Sequence, residues 1–211
     1  MFGILWNRIS AWRFTILLTA IVTLLLAATL LDPNENVVGF NALRLASTFV
    51  VLSAVLASTD RIRHRLLIAV LVIGWLVAAW LESNEFRPIQ DAVQVVIFFY
   101  LAVLITRHVV STRIVSADAV SGGIAIYFCL ALAWAFSYRL LDGLSPGAFS
   151  QSLVEDFSAP LYLSLTTITT LGYGDISPVA PFARLWATLE AVVGLLYVAI
   201  LISRLVSEFR R

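Results

Sequence analysis

Six apolar stretches, each close to the length that crosses a lipid bilayer, limit what this chain can fold into. They cover residues 14–31, 43–59, 66–81, 89–106, 119–138 and 182–206, against the roughly 20 apolar residues that a spanning helix needs. Backbone at that depth finds no water for its N–H and C=O groups, so a helix that bonds within itself is the expected form. Hydrophobic residues make up 61% of the chain and charged ones 13%, whereas a soluble domain is apolar over about half its residues. The expectation is an integral, all-α membrane protein with six transmembrane helices. The third stretch is short, but Arg65 and Glu82 at its ends can reach the head groups. The first is longer than the ~7–15-residue apolar core of a signal peptide and no small-residue cleavage site follows it, so it is expected as a retained helix.

The basic residues orient these helices. With the N terminus inside, ten arginines fall on the inner side (Arg8, Arg13, Arg61, Arg63, Arg65, Arg107, Arg113, Arg204, Arg210, Arg211) and four on the outer (Arg44, Arg87, Arg139, Arg184). That bias places both termini in the cytoplasm. The net charge of +1 gives no reason to expect nucleic acid as a partner. A single cysteine, Cys129, excludes a disulfide framework and a clustered metal site. No cofactor is expected, and scattered acids without a converging His or Ser give no reason to expect an enzyme.

Between the fifth and sixth stretches, residues 166–175 read Thr-Thr-Ile-Thr-Thr-Leu-Gly-Tyr-Gly-Asp. Gly172 and Gly174 are the residues best able to adopt positive φ. Ser158 reads as an N-cap and Pro160 suits the first turn of a helix running to Thr169. Such a helix has about three turns, too few to span, and fits a re-entrant half-helix buried in protein. The decapeptide resembles the signature of tetrameric potassium channels, in which Thr-(Val/Leu/Ile)-Gly-Tyr-Gly forms the selectivity filter. The resemblance covers roughly residues 119–206.

That resemblance implies a pore unit of helix, pore helix, filter and helix. Backbone carbonyls of Thr170, Leu171, Gly172 and Tyr173 would replace the water around K⁺, with the Thr170 hydroxyl innermost and Gly174 closing the row. Tyr173 would point away from the ion, and Asp175 would sit behind the outer mouth. Many relatives place a Glu and a Trp pair on the pore helix as partners of that aspartate; this chain has Thr166, Tyr162 and Leu163 there. One filter motif per chain implies a homotetramer, with three identical subunits as partners around a fourfold axis. K⁺ enters as permeant ion, not as cofactor.

Two residues of the sixth helix stand out. Glu190 is ionisable within a membrane helix, which marks a functional candidate; its expected place is behind the filter, bonded to Thr166 or Thr167. Glu190→Gln is accordingly expected to alter gating while sparing K⁺ over Na⁺ preference. Gly194 is a candidate gating hinge or a point of close packing. Asp142, Glu155 and Asp156 are expected to make the turret at 139–157 acidic.

The domain plan is then an interfacial segment (1–13), a four-helix peripheral domain (14–106), an inner linker (107–118) and a pore domain (119–211). A voltage sensor needs arginines spaced through its membrane helix, and Ala92 to Thr106 contains none, so little steep voltage sensing is expected. His64 and His108 read as solvated loop residues. Few residues follow the sixth helix, so no soluble ligand domain is expected. The composition suggests a prokaryotic inner membrane. The leading expectation is a passive K⁺-selective channel; the alternatives are a weakly selective cation channel and a non-conducting sensor or interaction subunit.

Overall fold

The structure, a computed structural model, describes residues 12–30, 53, 87–111 and 116–209. Its helices there are α1 (Arg13–Leu30), α2 (Arg87–Ser111), α3 (Ala117–Leu144), α4 (Ser158–Ile168) and α5 (Pro181–Phe209). Among the described residues three helices are long and apolar enough to cross a membrane, over Arg87–Val110, Ala117–Leu144 and Pro181–Leu201. The apolar part of α1, Arg13–Leu26, is shorter. The expected spans 43–59 and 66–81 lie outside the described residues apart from the isolated Ser53, as does the interfacial segment through residue 11. Of the linker expected at 107–118, residues 107–111 belong to α2 and 117–118 to α3, while 112–115 lie outside the described residues.

The chain divides into two compact units, Met1–Val72 with Leu101–Phe128, and Ile73–Tyr100 with Cys129–Arg211. In the first, α1 buries Phe14, Leu17, Ala20, Ile21 and Leu24. Their spacing of three and four residues makes one helical stripe. Its first amides are satisfied from another helix: Asp118 Oδ1 accepts from Phe14 N at 3.1 Å and Thr15 N at 3.0 Å. A carboxylate at a helix start also complements the helix dipole. Gly122 lets this end of α3 lie close, because a Cβ there would meet Val109 Cγ2 at 3.1 Å and Phe14 Cδ2 at 3.2 Å.

The second unit is built around α3. Every residue from 131 to 138 is buried, and the alternation of Ala131, Ala133 and Ala135 with Leu132, Trp134 and Phe136 lets neighbours interlock on all sides. Trp134 packs edge-on to Phe99 and tilted against Trp186, whose indole donates to Ser137 Oγ at 2.8 Å. Toward the end of α3, Arg139 grips the buried Asp91 of α2 through two guanidinium nitrogens and lies over the rings of Phe136 and Phe157. Asp91→Ala strands that guanidinium, and removing one partner of such a pair costs about 3 kcal/mol. The expected result is a lower melting temperature of the purified protein; an unchanged melting point contradicts it.

The turret differs from expectation. The helix runs on through Leu144, so the loop is shorter than 139–157. Asp142 is not a solvated acid: it is 3% exposed and accepts from Leu153 N at 2.8 Å. Asp156 is engaged too, accepting from Ser158 N at 2.9 Å at the start of α4. Ser158 is therefore the first helical residue and not the N-cap, a place taken by Phe157 without a side-chain bond. Of the three acids, Glu155 alone is exposed. The loop is tied to the segment after the 169–175 turn by Ser150 N to Ser177 O (2.9 Å), Ser177 N to Ser150 Oγ (3.0 Å) and Val179 N to Ala148 O (2.8 Å).

Candidate functional site

The local chemistry of α4 ends the helix and turns the chain back. Thr170 N donates to Thr167 O at 2.9 Å, and Gly172 N donates to Thr166 O at 3.0 Å. Holding that second bond requires tight curvature, and φ is positive at Thr170 (59°), Gly172 (52°) and Gly174 (81°). Leu171 and Tyr173 between them are not positive. In an ordinary strand, successive carbonyls point to opposite sides. Alternating the sign of φ rotates every second peptide, so that consecutive carbonyls share one side. Glycine adopts this conformation freely, whereas for Thr170 it is strained by about 1–3 kcal/mol. The strain in Thr170 is a feature that the sequence reading did not assign. The whole stretch from Thr169 to Asp175 is exposed within the single chain.

Tyr162 supports this turn from α4. Its hydroxyl donates to Asp175 Oδ1 at 3.0 Å, and its ring lies parallel to Tyr173 with centroids 6.3 Å apart. One side chain thus touches both the aspartate and the tyrosine of the motif. Thr166 does not join it: its hydroxyl lies 3.0 Å from both Tyr162 O and Leu163 O within α4, with one proton to share between them, while its carbonyl holds Gly172. Tyr162→Phe keeps the ring contact and removes a bond to a charged group, worth about 1.5–3 kcal/mol where buried and less at this exposed edge. The expected outcome is a small drop in the melting temperature of the purified protein; an unchanged melting point excludes the role.

Behind α4, Glu190 of α5 is completely buried. Its partners differ from those expected. Tyr138 of α3 donates to Oε2 and Ser164 of α4 is bonded to Oε1, while Thr166 does not reach it. Thr167 enters one bond away, by engaging the Tyr138 hydroxyl. Tyr138 and Ser164 were not singled out from sequence; a phenol deep in an apolar helix and a serine on the face of α4 opposite Thr166 are the signals that could have found them.

Gly194, one turn on, is buried where the end of α4 lands on α5. A Cβ at this position would stand 2.2 Å from the Ile168 carbonyl oxygen and 2.7 Å from Ile168 Cγ1. That approach demands a glycine whether or not the helix bends there.

Residues 124–211 match a family model described as "Ion channel", a stretch that holds most of α3, all of α4, the turn and α5. The chain is similar to an inward rectifier potassium channel, Kirbac3.1, of Paramagnetospirillum magnetotacticum, with 31% identity over 81 residues, covering 38% of this chain and 25% of the relative. It is also similar to a protein named two pore potassium channel c of Oryza sativa subsp. japonica, with 38% identity over 64 residues, covering 29% of this chain and 14% of that one. Protein LctB of Bacillus caldotenax is 29% identical over 111 residues, which is 49% of this chain and 82% of the relative. The chain therefore spans a quarter or less of the two potassium channels it matches. No solved structure matches it. The matches are thus to an ion-channel family model over part of the chain and to proteins named as potassium channels.

Proposed function

We propose that this protein is a passive, potassium-selective channel whose pore is lined by residues 169–175 of four identical subunits. The observation that carries the reading is the alternation of φ sign at Thr170, Gly172 and Gly174. Such alternation is a backbone form that can direct successive carbonyls to one side, and a row of that kind can replace the hydration shell of K⁺. In this reading α4 is a re-entrant pore helix between two spanning helices, α3 and α5. The partial negative charge of its C terminus would favour a cation at the pore centre.

The fourfold assembly is supported by what the single chain leaves uncovered. Phe182, Leu185, Leu189, Val192 and Leu196 lie exposed along one face of α5, as do Leu171 and Tyr173 of the turn. Neighbouring subunits would cover part of this apolar face. Six spanning helices per subunit, cytoplasmic termini and a prokaryotic inner membrane complete the proposal. The arginine-free interior of α2 from Ala92 to Thr106 supports a channel without steep intrinsic voltage sensing.

The test is the reversal potential of the reconstituted protein in a planar bilayer with K⁺ on one side and Na⁺ on the other. The expected value lies close to the potassium equilibrium potential. A reversal near zero with real current identifies a weakly selective cation pore, and a tetramer without current identifies a sensor or interaction subunit.

A further inference from the structure

The bonds around Glu190 contain one hydrogen too few if its carboxyl is ionised. A serine hydroxyl has a single proton to give, and a carboxylate or a backbone carbonyl has none. Ser164 Oγ lies 2.7 Å from the Ala131 carbonyl oxygen and is bonded as well to Glu190 Oε1. Both contacts are short, unlike those of a shared proton, so Ser164 cannot donate to both. The Tyr138 hydroxyl is already directed at the other carboxyl oxygen, Oε2. A proton on Oε1 resolves the count and leaves one continuous series of donors: Tyr138 O–H to Oε2, Oε1–H to Ser164 Oγ, and Ser164 O–H to the Ala131 carbonyl.

Given the channel reading above, we propose that Glu190 is a proton-binding site behind the conducting turn, filled at neutral pH, and that its proton fastens α4 to α3 and α5. The groups that face it bear this out from each element. From α3 comes the Tyr138 phenol, from α4 the non-titrating Ser164, and from α5 itself nothing that ionises; among the described residues no arginine or histidine acts on it. Among the described residues a carboxylate here would have no cation to meet. Losing the proton would turn the Ser164 hydroxyl toward Glu190 and release the Ala131 carbonyl. That cuts the direct bond between α3 and the helix whose end carries Thr169 to Asp175.

This assignment reverses what the sequence suggests for one substitution. Glutamine presents an oxygen to accept from Tyr138 and an N–H to donate to Ser164, so Glu190→Gln imitates the protonated acid. It should conduct like wild type at neutral pH and lose pH dependence, in place of altered gating at neutral pH.

Two measurements decide the matter. Infrared difference spectra of the full-length protein in lipid, wild type minus Glu190→Gln at neutral pH, should contain the C=O stretch of a protonated carboxyl that the variant lacks. Tyr138→Phe keeps the ring and removes the donor to Oε2, so it should move that band to higher frequency; it also supplies the assignment if Glu190→Gln does not fold. Absence of the band, or a band that Tyr138→Phe leaves in place, overturns the proposal. K⁺ flux into vesicles should then fall with rising pH in wild type and hold steady in Glu190→Gln, and an equal alkaline decline in both overturns the fastening role. If neither protein carries flux at any pH, the channel reading fails while the infrared band still decides the protonation.

Discussion

Gly172→Ala and Gly174→Ala are expected to abolish the preference for K⁺ over Na⁺, with the reversal potential under a K⁺/Na⁺ gradient moving toward zero. The cause is backbone conformation, not crowding. Nothing lies within 4 Å of where a Cβ would sit at either glycine, but φ is +52° and +81°. Alanine in that region costs about 1–2 kcal/mol. In a pore of four copies the same strain recurs in each, about 4–8 kcal/mol in all if the copies add. The cheapest relief is rotation to negative φ, which swings the adjoining carbonyl off the shared side. Thr170 already holds a strained positive φ, so this turn has little tolerance left. Gly147 is the control: its φ is +85° with open space around it, but it belongs to the loop after α3. Gly147→Ala should carry similar local strain and leave the reversal potential where it was. Selectivity surviving in Gly172→Ala would remove the alternating-carbonyl account.

The motif was legible because its chemistry is local. Two glycines with one residue between them report a backbone demand that no tertiary partner has to reveal. The strain at Thr170 was not legible, since it is imposed by the bond from Gly172 N back to Thr166 O, and threonine itself has no preference for that region. Glu190 was legible as a buried acid but its partners were not. Ser164 and Thr166 differ by two positions, which on a helix points them to nearly opposite sides. The hydroxyl of Thr166 is also consumed by carbonyls of its own helix. Asp142 and Asp156 read as solvated loop charges because the backbone amides that claim them, Leu153 N and Ser158 N, cannot be seen in a charge pattern. The far end of α3 was missed for a related reason. Arg139 reads as the start of a polar turret until Asp91 of α2 is placed against it, and with that charge satisfied the helix continues to Leu144. The expected spans 43–59 and 66–81 stand apart from this comparison, outside the described residues save Ser53.

Gly194→Ala separates packing from hinging. A hinge glycine replaced by alanine gives a stiffer helix: open probability falls, while the assembled protein gains stability from the better helix former, by about 1 kcal/mol per subunit. The geometry favours the opposite sign for stability. The added Cβ would stand 2.2 Å from the Ile168 carbonyl oxygen, and a backbone atom cannot rotate out of the way as a side chain can. Overpacking of this kind costs about 1–3 kcal/mol, and relief requires the end of α4 to retreat from α5. That retreat also displaces Thr169 and Thr170, so both thermal stability and K⁺ preference should drop together. Gly122→Ala is the milder comparison, because its nearest atoms are side-chain carbons of Val109 and Phe14 at 3.1 and 3.2 Å, which can yield by small rotations. Ile168→Ala in the Gly194→Ala background removes Cγ1 but leaves the carbonyl, so it should restore little. A full rescue by that second change would mean the side chain is the obstacle, and a rise in melting temperature with Gly194→Ala would restore the hinge.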